Sequence, residues 1–176
     1  MNPVLEEKKA EIISWIKLII FSVALALFIN NFIIVNAMVP SPSMENTINM
    51  GDRLFAFRLS YVFSDPKRYD IIVFHFPDDE TQLFVKRLIG LPGETVTVRN
   101  GKVYINDSET PLDDDFVKGA PNGDAGPFVV PENAYFFMGD NRNDSHDSRG
   151  WVNKFVYKEK MLGKVILRYF PPFKIF

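Results

Sequence analysis

Two serines flank a proline in Pro40-Ser41-Pro42-Ser43-Met44. Each proline pushes the residue before it out of the helical region, and Pro42 fixes its own φ, so an extended stretch is expected. In an extended chain Ser41 and Ser43 point to the same side. Two hydroxyls held that way suit one nucleophile and one donor to a developing oxyanion. Ser-Pro-Ser is equally at home in a linker, so the reading requires a base from elsewhere in the chain.

A base is available in Phe84-Val85-Lys86-Arg87-Leu88-Ile89-Gly90, where two cations interrupt an apolar strand. Alternation puts Lys86 on the face of Phe84 and Leu88, surroundings that disfavour an ammonium. An unperturbed lysine, with a pKa near 10.4, is neutral in only about 0.04% of molecules at pH 7; a pKa of about 8 raises that to roughly 10%. Such an amine beside a serine hydroxyl is a usable general base. The plain alternative is an edge-strand lysine whose stem covers apolar surface while its charge reaches water.

A third polar stretch, Met138-Gly139-Asp140-Asn141-Arg142-Asn143-Asp144-Ser145-His146-Asp147-Ser148-Arg149-Gly150, follows an aromatic run. Its acids and arginines are dense enough for local ion pairs and side-chain caps. Taken alone it fits a turn-rich surface loop or a calcium loop as well. His146 here and His75 in another strand invite a Ser-His mechanism, but neither has a spacing that ties it to Ser43.

These groups need elements to hold them. An apolar run over 18–29, continued by 32–35, lets a membrane-spanning helix be placed over 15–38 behind a short stub, 1–14. That is roughly the 20 residues a bilayer requires, with Trp15 and Lys17 at one interface and Asn30 and Asn31 near the other. A cleavable leader is the competing reading, since Val35-Asn36-Ala37 resembles a small-residue cleavage site. Lys8, Lys9 and Lys17 precede the run and Arg53 and Arg58 come after it, a bias that leans toward an internal N-terminus.

From 39 to 176 the chain reads as an all-β domain. Strands are expected over 52–59, 70–76, 82–89, 94–99, 102–106, 127–130, 134–138 and 162–170, being short, rich in Val, Ile, Phe and Tyr, and punctuated by Pro, Gly, Asn and Asp. Asn100-Gly101 marks a tight hairpin, because both central residues of the favoured turn need positive φ. The stretch 107–126, with Asp113-Asp114-Asp115, holds too few apolar residues to bury itself and reads as an exposed polar excursion. Its acids lack the spaced pattern of a known calcium loop, so a solvated turn is expected and no metal.

The 176 residues leave room for one domain beyond the apolar segment. Lys plus Arg number 20 against 22 Asp plus Glu, a balance that gives no field for nucleic acid. With no cysteine, disulfides, thiolate catalysis and thiolate-bound zinc are excluded.

Pro-Ser-Pro-Ser-Met at 40–44, Gly51-Asp52-Arg53-Leu54, Arg68-Tyr69-Asp70-Ile71-Ile72-Val73-Phe74, Lys86-Arg87-Leu88-Ile89-Gly90-Leu91-Pro92-Gly93-Glu94 and the 139–149 stretch resemble, in this order, the motif series of type I signal peptidases. The single anchor and short length are similar to the Gram-positive form. The resemblance implies a mainly β, extracytoplasmic catalytic domain behind one transmembrane helix, and a serine endopeptidase that removes signal peptides from exported preproteins without a cofactor. It implies Ser43 as nucleophile, Lys86 as base, and the Ser43 N–H with the Ser41 hydroxyl as oxyanion donors. Ser145 would hydrogen-bond the Lys86 amine and orient it. Asp147 with Arg149 and Asp140 with Arg87 would be structural ion pairs, and Val39, Met44, Phe84 and Val85 would wall the substrate pocket. Two departures stand beside the chemical groups: Tyr69 where the family usually has glycine, and Pro42 between the serines.

Two other classes remain. A soluble self-cleaving repressor shares the Ser-Lys logic, but the apolar run speaks against it. A non-enzymatic or inactivated anchored β domain that binds a partner is the second, and the presence of both Ser43 and Lys86 speaks against it. The partners expected are signal peptides and the lipid bilayer.

Overall fold

The computed structural model describes residues 3–176, the side chains of 3–6 excepted, as two compact units, the first ending at Ile34 and the second running Val35–Phe176. The first is helix α1 (Pro3–Phe28), continued by one wide turn over Ile29–Ile33 that carries Asn30 and Asn31. The stretch Glu7–Ile33, 27 residues, is long and apolar enough to cross a membrane. At 1.5 Å per residue it measures about 40 Å against a hydrocarbon core of about 30 Å. Its apolar side chains are exposed all round, Ile20 and Phe21 by 63% and 64%, as a surface solvated by lipid would be.

The span expected over 15–38 does not reach its far end as helix. Ile34–Met38 form strand β1, with Val35 in the core of the β unit. Val35 and its β-branched neighbour Ile34 favour a strand, and an apolar run does not reveal where lipid-facing residues give way to core residues. The small-residue stretch Val35-Asn36-Ala37 therefore lies inside a strand, where Asn36 Oδ1 accepts from the Tyr169 hydroxyl at 2.9 Å.

The second unit continues with β2 (Arg53–Phe57), β3 (Ile71–Phe76), β4 (Asp79–Gly90), β5 (Thr95–Arg99), β6 (Lys102–Ile105), β7 (Ala125–Val129), β8 (Ala134–Met138), β9 (Val156–Tyr157), β10 (Met161–Phe170) and β11 (Lys174–Ile175). Every strand expected from the sequence is present within a few residues of its expected ends. β1, β9 and β11 are additional; the last two have only two residues each, too short for alternation to show. An eight-stranded sheet runs β1-β2-β10-β3-β4-β8-β9, with β11 on β10, and a three-stranded sheet runs β6-β5-β7.

β3 and β8 are buried on both faces, and their alternation distributes side chains between different cores. Ile71 and Val73 join Val35, Val39, Met44 and Ile48, while Ile72, Phe74 and Phe76 join Leu88, Phe137 and Trp151. The β5–β6 hairpin turns on Asn100 and Gly101 at φ 49° and 76°, the left-handed pair that its sequence predicts.

The excursion over 107–126 is less detached than expected. Its acidic face is exposed and Asp114 pairs with Lys102 at 3.0 Å, but Leu112 N–H donates to Val103 O, Lys118 N–H donates to Asp140 O, and the Phe116 ring covers Arg87. Leu112, Phe116 and Lys118 thus fold back onto the domain through contacts that composition does not reveal.

Arg168 and Asp52 form a buried ion pair at 2.6 Å, each less than a tenth exposed, and Asp52 also accepts from Asn49 N–H at 2.8 Å. Because β10 lies beside β2, this pair holds the entry to β2 and the turn before it. Removing one partner strands a buried charge, which costs about 3–5 kcal/mol. Arg168→Ala should therefore lower unfolding stability by roughly that amount in urea titrations. A loss below about 1 kcal/mol would show that the pair does not hold this corner.

Candidate active site

Ser43 sits in a loop closed at its base by Val39 N–H to Asp52 O at 3.0 Å and Gly51 N–H to Val39 O at 2.8 Å. The extended conformation expected of 40–44 ends at Pro42. Glu45 N–H donates to Pro42 O at 2.9 Å and Ile48 N–H to Met44 O at 2.8 Å, so the chain coils into successive turns. The prolines restrict only the residues before them, and nothing prevents turning once Pro42 is passed. Met44 and Ile48 are buried and anchor the turns. Ser41 Oγ nevertheless lies 3.3 Å from Ser43 Oγ, on one side as the sequence suggests.

Lys86 comes from β4, paired with Ile72 of β3, on the face of Phe84 and Leu88. It is 3% exposed, its Nζ is hydrogen-bonded to Ser43 Oγ, and it stands 5.5 Å from the Phe84 ring centroid. Burial pushes its pKa down from 10.5 to about 8; Asp147 opposes the shift and Arg149 adds to it. A base beside Ser43 needs such an amine, and apolar desolvation supplies it.

The 139–150 loop holds these two segments together. Arg87 Nε and Nη2 donate to the two Asp140 oxygens at 2.8 and 2.6 Å, and Arg149 Nε and Nη2 donate to those of Asp147 at 2.8 Å each. Asp147 also accepts from Gly139 N–H at 3.1 Å, which folds the loop on itself. Asn141 then clasps the nucleophile segment: its N–H donates to Ser43 O at 3.1 Å and its side-chain amide to Pro42 O at 3.2 Å. No signal along the chain marks Asn141 for this role, because its partners are far away in sequence and only the fold brings them near. Gly139 is equally unmarked; a Cβ there would run into the Ser43 carbonyl and the Ser145 side chain.

Ser145 departs from the expectation attached to it. Its hydroxyl is buried without a hydrogen-bond partner among the described residues, packed beside Gly139, and makes no bond to the Lys86 amine. The amine is turned to Ser43 instead. His146 packs edge-on against Phe76 and Phe84, and His75 Nδ1 is engaged by Glu80 O at 2.8 Å.

A groove of about 640 Å³ opens over the pair, and Val39, Met44, Phe84 and Val85 all line it together with Ser41, Ser43 and Lys86. Its long sides are β1 and the first half of β4. β1 ends the sheet, and β4 pairs with β8 only from Arg87 onward, so the backbone of Gln82 to Val85 keeps a free edge there. The arrangement offers an apolar trough, a strand edge able to pair with an extended peptide, a hydroxyl, and an amine neutral enough to take its proton.

A serine hydroxyl bonded to a buried lysine amine in an open apolar groove is the pairing that Ser-Lys hydrolases share. Among these, this chain belongs to the signal peptidase family, peptidase S26, whose family model matches residues 12–170. It is 39% identical to a signal peptidase I of Leptolyngbya laminosa over 97% of this chain and 86% of that one. It is 37% identical to a signal peptidase I of Bacillus licheniformis over 93% and 91% respectively. A crystal structure of a signal peptidase I from Enterococcus faecalis shares 33% identity, covering 57% of this chain and 97% of that one with a TM-score of 0.41.

The close approach at Gly139 makes a sharp test. Gly139→Ala must displace the Ser43 backbone or the Ser145 side chain, and a misplacement on the order of 1 Å at a reacting group costs about 10²-fold in rate. Cleavage of a signal-peptide substrate by Gly139→Ala should fall by about that factor. A variant cleaving at the wild-type rate would mean that this approach does not set the serine's position.

Proposed function

We propose that Ser43 attacks the scissile carbonyl of a signal peptide and that Lys86 is the general base. The protein is a membrane-anchored serine endopeptidase that cleaves signal peptides, consistent with its family and its apolar helix. The observation supporting the residue roles is the contact between the Ser43 hydroxyl and an amine whose pKa burial has lowered to about 8.

In this reading neutral Lys86 takes the Ser43 proton as the oxygen bonds to the carbonyl carbon. The resulting oxyanion faces the Ser43 N–H and the Ser41 hydroxyl. As the C–N bond breaks, the lysine ammonium returns the proton to the leaving amine, and an acyl ester remains on Ser43. Lys86 then deprotonates a water that releases the signal peptide and regenerates the serine. A substrate strand lies between β1 and the free edge of β4, with small side chains against Val39, Met44, Phe84 and Val85.

Anchoring matters because a signal peptide is itself held in the membrane. Confining enzyme and substrate to one surface raises their effective concentration without any new contact. The lysine bias before the span supports an N-terminus in the cytoplasm and the β unit on the opposite face. Since the chain has no cysteine, single replacements read topology cleanly: in intact cells a membrane-impermeant maleimide should label Glu109→Cys and leave Lys8→Cys unlabelled. The reverse pattern would invert the orientation.

Solubilised wild-type protein should process a preprotein, whereas Ser43→Ala, Lys86→Ala and Lys86→Arg should lose at least about 10³-fold in kcat. Arginine fails because its pKa above about 12 leaves it charged. The base works deprotonated, so kcat/KM should climb with pH through a midpoint of about 8 and level off above it. Wild-type turnover by Lys86→Ala would remove the assigned base.

A further inference from the structure

Phe116 belongs to the polar excursion, yet its ring centroid lies 4.0 Å from the Arg87 guanidinium carbon and 5.5 Å, edge-on, from the Tyr69 ring. Arg87 is the neighbour of Lys86 on β4, and besides its two hydrogen bonds to Asp140 it donates to Tyr69 O at 2.9 Å. A cation beneath an aromatic face gains most when water is excluded, and Arg87 is 8% exposed.

The chain on either side of this ring is tied down in two directions. Asn46 Nδ2 donates to Phe116 O at 3.1 Å and Lys118 Nζ to Glu45 at 2.5 Å, both gripping the turns after Ser43. Lys118 N–H donates to Asp140 O at 2.9 Å, gripping the loop whose next residue, Asn141, holds the Ser43 carbonyl. One short segment thus fastens the nucleophile turn to the loop that clasps it, with the Phe116 ring closing over the ion pair between them. Tyr69 adopts φ 75°, a left-handed conformation natural to glycine, and its ring is the buttress against which Phe116 packs.

We propose that Phe116, buttressed by Tyr69, is a positioning residue for cleavage: by covering the Arg87–Asp140 pair it fixes where Ser43 stands against Lys86. The inference rests on the Ser43 and Lys86 roles given above. Phe116 lies outside the lining of the substrate groove, so its loss acts on turnover and not on binding.

The test uses the full chain in detergent with a preprotein, comparing Phe116→Ala, Phe116→Leu and Phe116→Tyr, with Ser43→Ala and Lys86→Ala as references. Ala and Leu should lower kcat about tenfold with KM changed less than about twofold. Tyr, which keeps the aromatic face, should restore kcat. Leu keeps apolar volume and serves where Ala does not fold. The proposal is overturned if Ala and Leu lower only Tm, leaving kcat at the wild-type value, or if Tyr is as impaired as Leu. Activity in the Ser43→Ala or Lys86→Ala reference would instead refute the dyad, a separate result.

Discussion

The structure depends on an amine kept short of water beside a hydroxyl. An ordinary lysine is a strong cation and a poor base, and moving one into an apolar strand is unfavourable for the fold. Lys86 occupies that position because Phe84 and Leu88 share its face and leave it only 3% exposed, at the floor of the groove. Its nearest polar partner is the Ser43 hydroxyl. The same burial that destabilises the charged amine makes the neutral amine available, so the cost to the fold and the proposed role as base have one origin.

Such a contact must be held by segments that are far apart in the chain. Ser43 comes from a coiled loop, Lys86 from the middle of a long strand, and their alignment from the 139–150 loop that binds both. The two ion pairs in that region join arginine to aspartate through paired hydrogen bonds, which fix angle as well as distance. Asn141 converts this rigidity into a grip on the serine backbone, and Gly139 permits the approach because it lacks a side chain. Asp52 and Arg168 do comparable work at the other end of the nucleophile loop. Charge in this molecule mainly sets geometry near a reaction centre that is itself almost apolar.

Much of this is legible in the sequence. Alternation places Lys86 among apolar residues, Asn100-Gly101 announces its hairpin, and the ordered motifs point to Ser43, Lys86 and both loop ion pairs. The features that escape are either long-range or dependent on environment. An apolar run looks the same whether it faces lipid or a protein core, so the expected helix extends into β1. Prolines restrict the residues before them and leave the later ones free, so the turns beyond Pro42 carry no advance signal. Phe116 looks like a stray aromatic in a polar stretch, and Asn141 like one more polar residue in a loop, because their partners are far away in sequence. Tyr69 stands out as a departure from a glycine pattern, and its left-handed backbone explains why glycine is usual there. The Ser145 hydroxyl, buried beside Gly139 with no partner among the described residues, shows that a motif leaves the direction of a side chain open.

The division of β4 has a consequence for the bonds that can be cut. Its second half is locked between β3 and β8 and carries the lysine, while its first half leaves amides and carbonyls open along the trough. Only a chain already drawn out straight can satisfy those groups; a helical segment turns its own backbone inward and has none to offer. The hydrophobic stretch of a leader is stable as a helix in lipid, so the bond to be broken must lie where that helix has come undone. In the binding mode proposed above, discrimination depends on the ease of local unwinding near the scissile bond.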